Sequence, residues 1–205
     1  MPIVNHYGLF MKRLLITLLS TIVVLTGNAQ TQFGLKGGVN FSNFVGFGND
    51  GNRTKAGFQG GELVTVPLTN SFFLQPEVNY SVEGVNSTVS GVDYRLNQNY
   101  LNAPVLIKYK HKSGCFAETG PQIGFLLGAN LNGGGHSIDV TGAYRHIELS
   151  WAFGLGYLVK SINIGIDARY NLGLTDIVPS NYGSGGSEHG SVVQVGIFYL
   201  FGRGK

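Results

Sequence analysis

The stretch HIELSWAFGLGY, residues 146–157, alternates apolar with polar or small side chains without a break. Its odd positions, from Ile147 to Tyr157, are large and apolar, whereas its even positions are polar, charged or tiny. Because successive side chains of a strand point to opposite faces, the pattern predicts a β-strand with one apolar face. About ten residues of tilted strand cross the apolar part of a bilayer. The stretch therefore predicts a membrane-spanning strand.

The same alternation recurs along the chain, and turn residues separate the repeats. The connections between them alternate in length, with long segments predicted at 42–56, 82–93, 128–142 and 175–190. Long external loops and short periplasmic turns are typical of outer-membrane barrels. The sequence thus predicts an all-β fold, an eight-stranded antiparallel transmembrane β-barrel with up-and-down topology. Its strands are expected at 32–41, 57–66, 72–80, 95–109, 115–127, 146–157, 162–172 and 191–201.

Two features of these strands leave questions for the structure. The second strand alternates poorly, so Glu62 cannot be given a face. Pro76, Pro104 and Pro121 fall inside strands and each removes a donor from the hydrogen-bonded ladder, which predicts bulges or local breaks there.

A soluble barrel would also alternate, but with its apolar face inward. Here the polar face is rich in glycine and modest in charge, which suits a crowded lumen. Aromatic residues lie near the strand ends on the apolar face, as membrane-interface girdles require. The membrane barrel is therefore the favoured interpretation over the soluble one. These girdle residues are Phe41, Tyr80, Tyr109, Tyr157 and Phe201.

The amino-terminal segment has the pattern of a secretory signal peptide. Lys12 and Arg13 precede an apolar run at 14–25, and small residues follow up to Ala29. We expect a signal peptide at 1–29 and a single barrel domain at 30–205 in the cell outer membrane. An uncleaved anchor is the alternative, although the run is short for a spanning helix. Met11 is a candidate for the true start.

The composition excludes several classes of function. Charged residues are 12% of the 205, glycine occurs 32 times, and the net charge of +3 gives no reason to expect nucleic acid. The single cysteine, Cys115, permits no internal disulfide and no cysteine-based metal site. We expect no cofactor.

Seven ionisable side chains point into the lumen by strand parity. Eight strands enclose only enough space for side chains to fill, and an unpaired buried charge is costly. We therefore expect these residues to form a structural charge network that plugs the lumen; a narrow ion or proton path is the alternative. They are Lys36, Glu77, Lys108, Glu118, Glu148, Asp167 and Arg169.

Two pairings within this network follow from the predicted turns. Lys108 should lie nearly opposite Glu118 across the turn at 111–114. A minimal turn near residues 160–161 would place Arg169 diagonal to Ser150, with Glu148 as its partner and Asp167 nearby.

A catalytic site is not expected. His146, Glu148 and Ser150 share one face of one strand, but alternate strand residues lie nearly 7 Å apart (a rough figure from the rise), too far for a triad. The histidines at 136 and 189 lie in glycine-rich loops, and no spacing brings histidines together as metal ligands. A lipid-modifying enzyme is kept as an alternative function.

Five motifs resemble the small outer-membrane β-barrel proteins of Bacteroidetes, often called porin-like or PorT-like. The resemblance covers nearly the whole chain after residue 29 and implies the barrel fold and the location, but little about activity. Such barrels tend to end on an aromatic residue, whereas here Phe201 is followed by GRGK. The motifs are FGLKGGVN (33–40), LQPE (74–77), YLNAP (100–104), ETGPQ (118–122) and RYNLGL (169–174).

These observations favour a structural, surface-interaction or membrane-integrity role. An accessory role in a secretion system is a further alternative. The expected partners are outer-membrane lipid, the barrel-assembly machinery and an extracellular ligand or protein bound through the long loops.

Overall fold

The computed structural model describes residues 31–46, 52–89, 91–176 and 188–201. The predicted signal peptide and the candidate start at Met11 lie outside these residues. In the described part, no helix is long and apolar enough to cross a membrane. The strands are β1 (Gln32–Gly46), β2 (Asn52–Pro67), β3 (Phe72–Val89), β4 (Val92–Lys110), β5 (Cys115–Gly133), β6 (His136–Asp139), β7 (Ile147–Val159), β8 (Ile164–Gly173) and β9 (Glu188–Phe201), with a 3-10 turn at Thr141–Ala143.

Eight of the described strands close into a ring. Each pairs antiparallel with its neighbour in the order β1-β2-β3-β4-β5-β7-β8-β9, and β1 pairs with β9 to complete the circle. The short β6 adds to the outer end of β5 and stays outside the ring. Closure leaves no sheet edge in lipid, where an unpaired backbone group has no partner. The predicted eight-stranded antiparallel barrel is confirmed.

The apolar face of the sheet points outward. Phe153 and Leu155 are 51% and 68% exposed, whereas Arg169 on the opposite face is 2% exposed. The soluble alternative, with its apolar face inside, is therefore wrong. Glu62, which sequence could not assign, is exposed on the outer face between Leu35 and Val78.

All four predicted long loops are partly strand, since β1 and β2 enter 42–56 and β9 begins within 175–190. β3 and β4 continue through most of residues 82–93 and pair up to Val89 and Val92, and β5 extends to Gly133 and pairs with β6. These segments lie beyond the part of the barrel that contacts lipid. Their outer face therefore does not need to be apolar. The backbone hydrogen bonds continue there, although the sequence does not show the alternation of apolar and polar residues that predicts a strand.

The three strand prolines leave the register intact but lie at or beside short gaps in the ladders, so of the two predicted alternatives local breaks are found and bulges are not. Pro76, Pro104 and Pro121 lie within continuous strands, and the ladders resume with the same offset on either side of short gaps. Register shifts occur elsewhere, at residues 54–59 of β2 and at residues 99–100 of β4. A missing donor therefore interrupts single ladder bonds without displacing a strand.

The β7–β8 hairpin has a longer turn than predicted. Val159 pairs with Ile164, so four residues connect the strands, and Asn163 takes a left-handed conformation with φ of 57°. Two extra turn residues shift the cross-strand register by two positions. Gly154 consequently lies opposite Arg169.

Candidate functional site: the charged lumen

The lumen is closed at its short-turn end by an apolar floor. The side chains of this floor point inward and pack on one another. The aromatic rings of Phe116 and Phe198 meet edge to face, with centroids 5.9 Å apart. The short-turn end is the periplasmic end in outer-membrane barrels. This floor was not predicted, because the alternation of the strands indicates a polar lumen. The floor consists of Leu63, Phe116, Leu158, Phe198 and Leu200.

An ionic tier lies above the floor, and Arg169 is its centre. The guanidinium donates to both carboxylate oxygens of Glu77, at 3.0 Å from Nη1 and 2.8 Å from Nη2. It also donates to Oε1 of Glu118, at 3.1 Å from Nε and 2.6 Å from Nη2. Asp167 stands 3.8 Å from Nη2. A planar guanidinium with several donors is suited to join two carboxylates in this way.

Two lysines complete the ionic tier. Lys108 lies opposite Glu118 in register, with Nζ 3.0 Å from Oε2, and also sits 3.9 Å from the ring centre of Phe116 in the floor. Lys36 donates to Asp167. The tier therefore contains three cationic and three anionic groups, all almost fully buried. Complete pairing is what a buried ionic cluster requires, because each unmatched charge would carry a large desolvation penalty.

Two inward glycines make room for these ion pairs. Gly154 lies between Glu118 and Arg169 in the sheet, and a Cβ there would come within 2.8 Å of Cγ of Glu118. Gly196 lies opposite Asp167, and a Cβ there would come within 3.0 Å of Cε of Lys36. In both cases charged side chains from two flanking strands meet across a strand that has no side chain in the way.

The predicted pairing of Arg169 with Glu148 is wrong. Since Gly154 is opposite Arg169, Glu148 lies six residues along β7, roughly 20 Å away at strand rise. The prediction failed because it assumed the shorter hairpin turn. Six of the seven predicted lumen charges come together, and Glu148 does not join them.

Glu148 belongs instead to an outer tier nearer the long-loop end. It is half-buried beside Tyr100 and Glu83. One oxygen of Glu83 accepts hydrogen bonds from Ser81 at 2.7 Å and Asn102 at 3.0 Å. Lys55 donates to the backbone carbonyl of Glu83 at 2.8 Å. Glu83 and Lys55 were not predicted as lumen residues, because both lie in segments predicted to be loops. Their inward parity on longer strands is the signal that could have identified them.

The side chains weighed as catalytic candidates remain apart. Ser150 is buried and accepts a hydrogen bond from Gln122 at 3.2 Å, whereas His146 is exposed at the start of β7. Across the described ranges, no group of three or more His, Cys, Asp or Glu side chains could hold a metal ion.

Comparison with known proteins supports the architecture. A family model described as an outer membrane protein beta-barrel domain matches residues 28–178. No curated protein matches the chain.

Comparison with solved structures finds two similar chains, and the first of them shows that the fold is shared. The structure of Neisserial surface protein A, NspA, has a TM-score of 0.55 and 16% sequence identity, covering 82% of this chain and 97% of that one. Ail, the attachment invasion locus protein of Yersinia pestis in complex with the heparin analogue sucrose octasulfate, has a TM-score of 0.47 and 16% identity, covering 83% and 99%. The family match covers most of the chain and places it in the outer membrane.

Proposed function

Because the chain belongs to the outer membrane protein beta-barrel domain family, we propose that it is a non-enzymatic, non-conducting barrel that acts at the cell surface. Its role is to hold an ordered sheet outside the membrane, where that sheet contacts extracellular molecules. The observation that carries this proposal is the outward extension of β3, β4 and β5.

These three strands are much longer than the ones across the barrel. They contain 18, 19 and 19 residues, whereas β7 and β8 contain 13 and 10. Among the described residues, the surplus projects beyond the long-loop end of the barrel on the side formed by β3, β4 and β5. An apolar cluster stabilises it: Val85 and Leu96 pack with Leu131, Val140 and Tyr144.

The surface of this extension is polar and charged. Arg53 and Asp93 form an exposed ion pair at 2.8 Å, and Arg53 also donates to Thr88 at 2.6 Å. Arg95 and Asp139 are exposed as well. Asp93 accepts from Thr88 and lies beside Arg53, and these contacts hold the pKa of its carboxyl below the usual range. Such a shaped polar surface supports recognition of extracellular partners.

The closed lumen supports the absence of conduction. The apolar floor blocks the periplasmic end, and the ionic tier fills the space above it. In planar-bilayer recordings, the wild-type protein should show no stable large-conductance openings. Steady, porin-sized currents would contradict the proposal and favour a pore.

Labelling of intact cells tests whether the extension is displayed. In a Cys115→Ala background, Ser137→Cys on the extension should react with a membrane-impermeant maleimide. The matched variant Lys112→Cys, in a short turn, should react only after the outer membrane is permeabilised. The opposite labelling pattern would mean that the barrel is inverted.

The contact role is tested by shortening the extension. Replacing residues 86–95 with Asn-Gly should keep the hairpin, because this pair favours a tight turn between antiparallel strands. Cells carrying the variant should attach less to an epithelial monolayer and to mucin-coated glass than cells with equal amounts of wild type. Unchanged attachment to both surfaces would refute surface contact as the role.

Three further assignments belong to the same proposal. The motifs around Gly34, Pro76, Pro104, Pro121 and Asn171 support membership of the Bacteroidetes-type porin-like or PorT-like group. Residues 1–29 are assigned as a cleaved signal peptide, so sequencing the membrane-bound protein should give Gln30 first; retention of earlier residues would refute this. Outer-membrane lipid and the barrel-assembly machinery are its proposed partners.

A further inference from the structure

We propose that the outer tier of the lumen binds one calcium ion between the carboxylates of Glu83 and Glu148. The inference goes beyond the proposed surface role, and neither depends on the other.

The charges of the outer tier are not balanced. In the ionic tier, three cations match three anions. In the outer tier, Glu83 and Glu148 line the same two cavities, close enough for their carboxylates to repel each other. Among the described lumen residues, Lys55 is the cation at the depth of the outer tier. Its ammonium group donates a hydrogen bond to the backbone carbonyl of Glu83. Two carboxylates therefore share a confined region without a cation bonded to either carboxylate group.

Small cavities lie beside both carboxylates. Two adjacent small cavities, each of about 10 Å³, lie in this part of the lumen, and Glu83, Glu148, Gly190 and Val192 line both. This is about the room that one water-sized particle needs. Gly190 leaves the approach to Glu148 open, since a Cβ there would come within 2.8 Å of Oε1.

A buried amide without hydrogen-bond partners lies at one of these cavities. Asn171 lines the first cavity, is 3% exposed, and has no hydrogen-bond partner at either its oxygen or its nitrogen. A buried amide without partners is rare, because leaving one unpaired is costly. Its oxygen could serve as a neutral ligand beside the two carboxylates.

The donor set selects the kind of ion. Carboxylate and amide oxygens bind hard cations, and two carboxylates match the charge of a divalent one. Calcium accepts irregular oxygen coordination and keeps waters, whereas magnesium needs near-ideal octahedral geometry. The irregular arrangement of side chains from three strands therefore favours calcium.

Calorimetric titration of the full mature protein, purified in a neutral detergent with calcium chloride as the probe, tests the proposal. We expect one ion per barrel, with a dissociation constant of about 0.1–1 mM, the range of extracellular calcium modules. Glu148→Gln and Glu83→Gln should each weaken binding at least about tenfold, since each removes one of two charged ligands. The control Asp93→Asn removes an exposed acid from the extension and should leave binding unchanged.

A second measurement covers variants that fold poorly. Glu83 also accepts bonds from Ser81 and Asn102, so its variant is tested together with Glu148→Gln, which keeps an oxygen that can accept the hydrogen bond of Tyr100. Calcium should raise the unfolding temperature of wild type and leave that of Glu148→Gln unmoved, because only a ligand of the folded state stabilises it. The proposal is overturned if wild type binds no calcium at millimolar concentration, or if Glu148→Gln binds as tightly as wild type. Preference for sodium over calcium would overturn it as well.

Discussion

The ionic tier and the outer tier are both built from inward-facing strand residues, yet their charges are paired differently. Around Arg169, every carboxylate forms an ion pair with a cationic side chain, and all members of the ionic tier are almost fully buried. Around Glu148, the carboxylates lie beside a phenol, amides and small cavities. The difference follows depth: the ionic tier lies on the apolar floor, and the outer tier is close to the rim.

The comparison shows that parity alone cannot define a charge network. Parity places a side chain inside the barrel, but its partner depends on register and on which neighbours lack a side chain. Glu118 reaches Arg169 because Gly154 separates them. Glu148 has the same parity on the same strand as Gly154 and lies far from any lumen cation of the ionic tier.

The largest expected effect is on the ionic tier. Arg169→Ala leaves Glu77 and Glu118 facing each other without their shared cation, and should lower the free energy of unfolding by about 3–5 kcal/mol. Urea titration in lipid vesicles, followed by the fluorescence of Trp151, measures the change.

Double-mutant cycles then separate the tiers. Arg169→Ala and Glu118→Ala should be strongly non-additive, because the two side chains contact each other. Arg169→Ala and Glu148→Ala should add within about 0.5 kcal/mol, because they lie far apart. Strong coupling in the second cycle would show that the two tiers are one network.

A substitution on the outer face locates the ionic tier in the bilayer. Phe153 lies next to Gly154 and points outward at 51% exposure. Phe153→Arg should cost about 2–4 kcal/mol in stability, whereas Tyr157→Arg, nearer the periplasmic interface, should cost less. If Phe153→Arg were the milder substitution in vesicle unfolding experiments, the ionic tier would not lie at mid-membrane depth.

The role of the inward glycine gives an intermediate effect. Gly154→Ala places a methyl group within 3.0 Å of Oε1 of Glu118, and should destabilise the barrel by about 1–3 kcal/mol through overpacking. The control is Gly60→Ala on the outer face, where the nearest atom is 3.6 Å away. Equal effects of the two substitutions would mean that strand propensity, and not access to Arg169, explains the glycine.

The smallest effect is expected in the outer tier. Glu148→Gln removes a half-buried charge that has no cationic partner, so in calcium-free buffer the stability should change by less than about 0.5 kcal/mol. Urea unfolding under the same conditions as for Arg169→Ala measures it. A loss comparable to that of Arg169→Ala would contradict the distinction between the tiers.

The fold could be predicted from the sequence because lipid requires the side chains on the outer face of the barrel to be apolar. Alternation from Ile147 to Tyr157 reports that requirement directly, and Lys108 with Glu118 could be matched across a short turn. Outside the membrane this requirement no longer applies. The sequence therefore suggests loops for the outer parts of β3 to β5, and it does not identify Glu83 as a lumen residue. The partner of Arg169 depended on a turn two residues longer than predicted.

The ionic tier also bears on how the barrel is assembled. Arg169 bonds to Glu77, 92 residues away, and Lys36 bonds to Asp167, 131 residues away, across the seam between the first and last strands. No single hairpin can form these bonds, so they appear only when the circle closes. A slip of one residue in any strand would turn its charges toward lipid. A barrel closed in the wrong register would keep buried charges without partners, so we expect it to reopen more readily than the correctly closed one.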